Sequence, residues 1–434
     1  MKRLIFAAVL AASLILTTSG VWSQQLPFAA APAEQVGMSK ERLARLGTAL
    51  KKEVDTGQVA GVVVMVARKG KLVYSEAIGF QDKDAAKPMA LDSIFRIYSM
   101  TKPLASVVAM MLVEEGTIQL ADPVSTYLPA FKNQRVSVAK VDAEFARVTY
   151  TSVPAEREMT VHDLLRHTSG LAYGEITVNT QVKDAYAKAG LYTPATIDFD
   201  VRGLTPAEEI ERLAAAPLAH QPGTVWEYSL ATDVLGRVVE ALAGKRLGAL
   251  LAEKIFAPLH MSDSGFFVPP EKMGRLAQPL ANDPRKLIDV SQPPANDSAG
   301  AGGVSTAADY LRFLQMLAHG GQLDGVRLLS RPTVALMASD HLGTQIAAPN
   351  APSQNALGTP GYTFGLGFMV RQGPGITGVP GSPGAYGWAG YAGTYFLIDP
   401  KEELVVLLLS QSTNPARNRH RRLLTQLVYQ AIAD

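Results

Sequence analysis

The sequence predicts a mixed α/β chain of the α+β kind: one antiparallel sheet built from both chain ends and flanked by helices, with a mainly helical lobe inserted between them. Three observations point there. The stretch GVVVMVARKGKLVYSEAIGF is rich in β-branched residues around a glycine-bearing turn at Arg68 to Gly70, which reads as a hairpin. YTFGLGFMV, AGTYFLID and ELVVLLLSQ supply further strands near the C-terminus. From about Leu104 to Leu317 the strongest signals are helical.

Taken in order, the chain begins with Lys2 and Arg3 ahead of an apolar run from Leu4 to Leu16, closed by small residues up to Ser23. This pattern predicts a secretory signal peptide over 1–23, because about 13 apolar residues fall short of the roughly 20 that span a bilayer. No other segment is long and apolar enough to cross one, so a periplasmic or secreted protein without membrane insertion is expected after cleavage. The mature 24–434 is expected to form a single bilobal catalytic domain, with a sheet lobe at about 24–98 plus 320–434 and a helical lobe at about 99–319. The absence of cysteine excludes thiolate catalysis, disulfides, cysteine zinc sites and lipid attachment through an N-terminal cysteine. Losing Lys2 and Arg3 with the signal leaves 39 basic residues against 39 acidic ones, which offers no electrostatic argument for a nucleic-acid partner.

Ser39 can cap a helix running to about Val54. Leu104, Val107, Val108, Met111 and Leu112 fall on one helical face, and Gly116 ends that helix. Thr205, Pro206 and Glu208 form a capped helix start. ARNRHRRLLTQLVYQAIA reads as a closing helix whose Arg417, Arg419, Arg421 and Arg422 mark a solvated surface. The stretches at about 277–303 and 342–362, rich in Pro, Gly and Asn, are expected to be surface loops that shape a site.

The chemistry centres on RIYSMTKPLAS, residues 96–106. Pro103 confines a helix start to within about a turn of itself, so Ser99 and Lys102 lie one turn apart on one face. A serine hydroxyl attacks only when a neighbour takes its proton, and the helix dipole favours an alkoxide at this end. A lysine helps once burial or nearby charge lowers its proton affinity, and the apolar run after Lys102 supplies burial. Ser137 and Lys140 repeat the spacing in RVSVAKVD, but an alternating strand pattern sends them to opposite faces.

YSMTKP and its helix resemble the first motif, S-x-x-K, of the serine β-lactamase and penicillin-binding protein superfamily. EEGTIQLADPVSTYLP, MTVHDLLRHTSGL, PGTVWEYS and GGVSTAADYLRFLQML follow in the order found in class C β-lactamase-like hydrolases and family VIII carboxylesterases. The resemblance covers nearly the whole mature chain and implies a β-lactamase/transpeptidase-like fold. It implies that Tyr228 in EYSLATDVLG opens the second motif, its oxygen lying between serine and lysine as general base and acid. Leu230 departs from that motif's asparagine. The third motif, K-T-G on an edge strand, is matched by Trp388, Ala389 and Gly390, so the carboxylate-attracting lysine is lost. The resemblance places the oxyanion donors at the backbone N–H groups of Ser99 and Tyr391, with Trp388 and Gly390 lining the substrate.

These departures favour a serine hydrolase cleaving carboxylic esters through an acyl-enzyme on Ser99, with weak β-lactam hydrolysis as a side activity. A β-lactamase or D-alanyl-D-alanine peptidase is the alternative reading, and a non-catalytic cell-wall-binding protein a third. The expected partner is a small-molecule ester or β-lactam, with no cofactor and no metal. His162 and His167, five apart, do not match the zinc-helix spacing. Gly373, Gly375 and Gly378 form G-x-G-x-x-G without a following helix, and no G-x-S-x-G elbow occurs.

Overall fold

The computed structural model describes residues 28–434 apart from 143, 145–146, 194–200 and 347–359. The signal at 1–23 and most of the 342–362 loop lie outside the described residues.

Ser39 Oγ accepts from the Arg42 N–H and starts helix α1 (Lys40–Asp55). Strands β1 (Gly61–Arg68) and β2 (Lys71–Asp82) form the expected hairpin, with Lys69 and Gly70 both at positive φ (50° and 71°), the geometry of a tight hairpin turn. Every residue of β1 is buried, which explains its unbroken apolar run: it is an inner strand covered on both faces. A short β3 (Lys87–Pro88) follows β2. From the C-terminal part come β4 (Tyr362–Phe364), β5 (Met369–Arg371), β6 (Tyr386–Ala389), β7 (Tyr395–Asp399) and β8 (Leu404–Ser410). The eight strands run in the order β4-β5-β6-β7-β8-β1-β2-β3. The chain ends meet where β1 pairs antiparallel with β8, from Val62 opposite Ser410 to Arg68 opposite Leu404.

Helix α2 (Thr101–Glu114) begins at the predicted place and ends before Gly116 at φ +73°. The predicted apolar face is buried, and burial extends all round: every residue from Thr101 to Met111 is buried, because the helix is enclosed on all sides. Truncating one of its apolar side chains, such as Leu104→Ala, costs about 2–5 kcal/mol. Helix α3 (Pro206–Ala215) carries the full capping box between Thr205 and Glu208, α4 (Ala231–Ala243) packs on α2, and α5 (Ala307–Ala318) packs on β8.

The mainly helical lobe also holds a β-hairpin, Arg135–Asp142 with Arg147–Pro154, on which Ser137 is buried and Lys140 exposed, as the alternating pattern predicts. Two expectations need correction. The 277–303 segment is not surface throughout, since residues 296–300 are buried. The closing helix α6 (Arg417–Tyr429) does not present all its arginines to solvent. Arg419 pairs with the buried Glu53 of α1 at 2.6 Å, His420 meets the same carboxylate at 3.0 Å, and Arg421 points inward.

Candidate active site

Ser99 lies in the 3-10 turn Tyr98–Met100 that leads directly into α2, at the positive end of the helix dipole. Tyr98 holds a φ of +45°, a left-handed conformation that costs a non-glycine residue of order 1 kcal/mol and turns the chain sharply before the serine. Side-chain contacts stabilise this turn. Thr101 Oγ1 donates to the Tyr98 carbonyl at 2.6 Å and accepts from the Gly303 N–H at 2.9 Å, while Tyr98 Oη accepts from the Ile288 N–H.

Lys102 is 1% exposed. Its ammonium donates to the Gly300 carbonyl (2.8 Å), Tyr173 Oη (3.0 Å) and Ser99 Oγ (3.4 Å), so each of its three N–H bonds has an acceptor. The hydroxyl of Tyr228 reaches Ser99 Oγ from the other side at 2.6 Å. Ser99 Oγ is therefore the atom shared by lysine and tyrosine. The resemblance implied instead that the tyrosine oxygen stands between the other two; here Lys102 Nζ sits 4.7 Å from the centroid of the Tyr228 ring. That is the geometry of a cation–π contact between the lysine head and the Tyr228 ring.

Tyr228 is locked by aromatic neighbours. His167, Tyr173 and Trp388 lie at 4.9, 5.2 and 5.3 Å between ring centroids, and Trp226 stacks at 6.3 Å. Such packing leaves the ring one orientation and its hydroxyl one target. His167 is fully buried, and that burial, with Lys102 nearby, holds its pKa well below the usual value, so the ring is neutral at pH 7. Burial, with Tyr228 and Asp233 adding to it, pushes Tyr173 well above the ordinary tyrosine range, which makes it a hydrogen-bonding partner of the lysine rather than a base.

Trp388 is the last residue but one of β6 and is 3% exposed, its ring against Tyr228 and Phe364. The strand is internal rather than an edge, but β5 pairs only with Tyr386 and Gly387, so Trp388 and Ala389 run on beyond it. A Cβ at Gly390 would fall 2.1 Å from Thr394 Oγ1 and 2.4 Å from the Ile97 carbonyl oxygen, so only glycine lets this strand end approach the turn that carries Ser99. The Gly390 N–H donates to the Thr394 carbonyl, and its own carbonyl accepts from Arg421 at 2.6 Å. Burial, with Arg417 adding to it, pushes the Arg421 guanidinium down to about 9. Tyr391 follows, its ring 5.8 Å from that of Tyr98.

The arrangement thus brings Lys102, Tyr228, Trp388 and Gly390 together around the turn that carries Ser99. His162 lies apart and bonds His341 at 2.9 Å; among the described residues no His, Asp or Glu group could hold a metal. Reasoning from sequence missed Tyr173, Gly300, His167 and Arg421. The aromatic and glycine-rich phrases around them were visible, but no spacing ties them to Ser99.

Comparison with known proteins matches the beta-lactamase family over residues 46–430. Protein Rv1367c of Mycobacterium tuberculosis (strain ATCC 25618 / H37Rv) is 36% identical over 376 residues, covering 82% of this chain and 87% of that one. Esterase EstB of Burkholderia gladioli is 32% identical over 295 residues, or 63% of this chain and 69% of its own. Among solved structures, EstCE1, described as a hydrolase with promiscuous acyltransferase activity, superposes with a TM-score of 0.71 at 26% identity, over 90% of this chain and 99% of that one. Simvastatin synthase (LovD) from Aspergillus terreus gives 0.73 at 24% identity over 90% and 98%, a likeness of fold. With the family matched over residues 46–430 and the fold shared over 90% of its length, this chain belongs to the beta-lactamase family.

Proposed function

We propose that the protein is an exported serine hydrolase that cleaves carboxylic esters through an acyl-enzyme on Ser99. The observation that carries this reading is the 2.6 Å contact of Tyr228 Oη with Ser99 Oγ, beside the buried Lys102. For the step to balance, Tyr228 acts as its phenolate, whose charge the Lys102 ammonium offsets, and becomes the neutral phenol as it takes the Ser99 proton while the serine oxygen attacks the ester carbonyl. The backbone N–H groups of Ser99 and Tyr391 receive the developing oxyanion, each such donor being worth about 10²–10³ in rate. Tyr228 then returns the proton to the leaving alcohol, and water attacks the acyl-enzyme by the same relay in reverse.

Substrate choice follows from what lines the site. Trp388 holds the sequence position where the third motif has the lysine that would attract a β-lactam carboxylate, and an aromatic side chain there favours a neutral acyl or alcohol group. Esterase EstB and the hydrolase EstCE1 are named for chemistry of this kind, which supports the ester reading. An alcohol in place of water at the second step would give acyl transfer through the same intermediate. Export rests on the basic and apolar pattern of residues 1–23, and N-terminal sequencing of the protein recovered outside the cytoplasm tests it.

A fluorophosphonate probe followed by peptide mass analysis tests the nucleophile. A single adduct on Ser99 is expected; a folded protein that stays unlabelled contradicts every enzymatic reading.

A further inference from the structure

The site raises a question about Lys102. The second-motif asparagine that would bond such a lysine is absent, its position held by the apolar Leu230, and the shortest lysine contact is instead a main-chain carbonyl, Gly300 O at 2.8 Å. A carbonyl is fixed in direction only if its own peptide is fixed. The next residues of the tyrosine segment do this. Asp233, in the first turn of α4 and five residues beyond Tyr228, is 1% exposed, and its Oδ1 accepts from the Gly300 N–H at 3.0 Å and from Ser298 Oγ at 2.7 Å. Ser298 Oγ in turn accepts from the Ala301 N–H at 3.1 Å, so the turn that carries Gly300 is held at both ends.

Steric fit points the same way. A Cβ on Gly300 would lie 2.2 Å from Asp233 Oδ2, and one on Gly236 would lie 2.7 Å from the Cβ of Ala299. Helix α4 and the 298–301 turn are thus pressed together over small residues, with the carboxylate seated against the glycine peptide. One short stretch of chain therefore carries both the hydroxyl that meets Ser99 and the carboxylate that aims the acceptor of Lys102.

We propose that Asp233 is a positioning residue for the proton relay: through Ser298 Oγ, which holds the Ala301 N–H of the peptide unit that bears the Gly300 carbonyl, and through the Gly300 N–H of the preceding unit, it orients the carbonyl that holds Lys102 beside Ser99 and Tyr228. This rests on the relay put forward above. Substrate does not touch Asp233, so its loss acts on the chemical step and leaves substrate binding in place. Asparagine keeps an oxygen able to accept from the Gly300 N–H and Ser298, whereas alanine removes it.

The test compares Asp233→Ala, Asp233→Asn and wild type for ester turnover and for the second-order rate of fluorophosphonate capture at Ser99. In Asp233→Ala, kcat and the capture rate should both fall about 10²-fold with KM within threefold, and Asp233→Asn should recover both to within about fivefold of wild type. A wild-type kcat in Asp233→Ala, a loss confined to KM, or an equal loss in the two variants would each overturn the proposal. Should Asp233→Ala not fold, Ser298→Ala removes one of the two anchors of the turn, and a several-fold drop in capture rate is expected; an unchanged rate counts against the proposal. Capture does not depend on the substrate class. If the ester reading failed, wild type would take the probe without turning over esters, and the Asp233 series would still give its answer.

Discussion

The hydroxyl of Tyr228 lies 2.6 Å from Ser99 Oγ, although 129 residues separate the two in the chain. The pair is assembled from opposite sides: the serine by a strained turn at the head of α2, the tyrosine by a cage of four rings. Tyr228→Phe keeps the cage and removes only the hydroxyl. Its kcat should fall by about 10²–10⁴ while the melting temperature stays within about 2 °C of wild type, as read by ester turnover and thermal unfolding.

Gly390 is required by space rather than by flexibility. Gly390→Ala must push β6 away from the Ile97 carbonyl and with it the N–H of Tyr391, so a loss of about 10²–10³ in kcat is expected. Gly373→Ala is the matched control, because a Cβ there meets nothing within 4 Å; its turnover should equal that of wild type.

Arg421 holds the same strand end from below through the Gly390 carbonyl. Arg421→Met preserves the buried stem and removes the donor, leaving that carbonyl without its charged partner. The carbonyl keeps the Gly393 N–H at 3.1 Å, so about tenfold lower kcat and a lowered melting temperature are expected from the lost charged hydrogen bond, worth about 1.5–3 kcal/mol. Unchanged kinetics would show that the Thr394 and Gly393 contacts fix the strand end without Arg421.

The His162–His341 pair predicts a pH dependence of stability. Burial, with Arg166 adding to it, holds His162 down to about 4, and burial also lowers His341. A histidine lowered in the folded state binds fewer protons than in the unfolded chain. Its stabilisation is complete above about 6.5 and is lost as pH falls from there toward about 4. Asp309, pushed up to about 6 chiefly by burial, acts with the opposite sign in part of that range, so the difference between variants is the informative quantity. Relative to wild type, His162→Asn should lose less melting temperature between pH 7 and pH 4.5. Parallel curves would contradict the assignment.

Much of the fold was legible because strand and helix periods differ and because turns and caps have fixed chemistry: Lys69–Gly70, Ser39 and the Thr205–Glu208 box behave as their residue types dictate. How far α2 is enclosed was not legible. An apolar stripe looks the same in sequence whether the polar remainder meets solvent or, as with Lys102, is buried with partners. Within the site, Ser99 and Lys102 were legible because one helical turn relates them, and Tyr228 through its motif. Tyr173, Gly300 and Arg421 were not, because their contacts with Lys102 and Gly390 span 71, 198 and 31 residues and follow from how the elements pack. The arginines of α6 illustrate this last point: identical residue types two positions apart end as an exposed partner of the buried Glu53 and as a donor to the Gly390 carbonyl.

The central claim is ester cleavage through Ser99, and kcat/KM measured side by side on a short-chain aryl ester and a cephalosporin, for wild type and Ser99→Ala, tests it most directly. The account predicts that wild type favours the ester and that Ser99→Ala abolishes turnover of it. A much higher kcat/KM on the cephalosporin, or ester turnover that survives in Ser99→Ala, would contradict it.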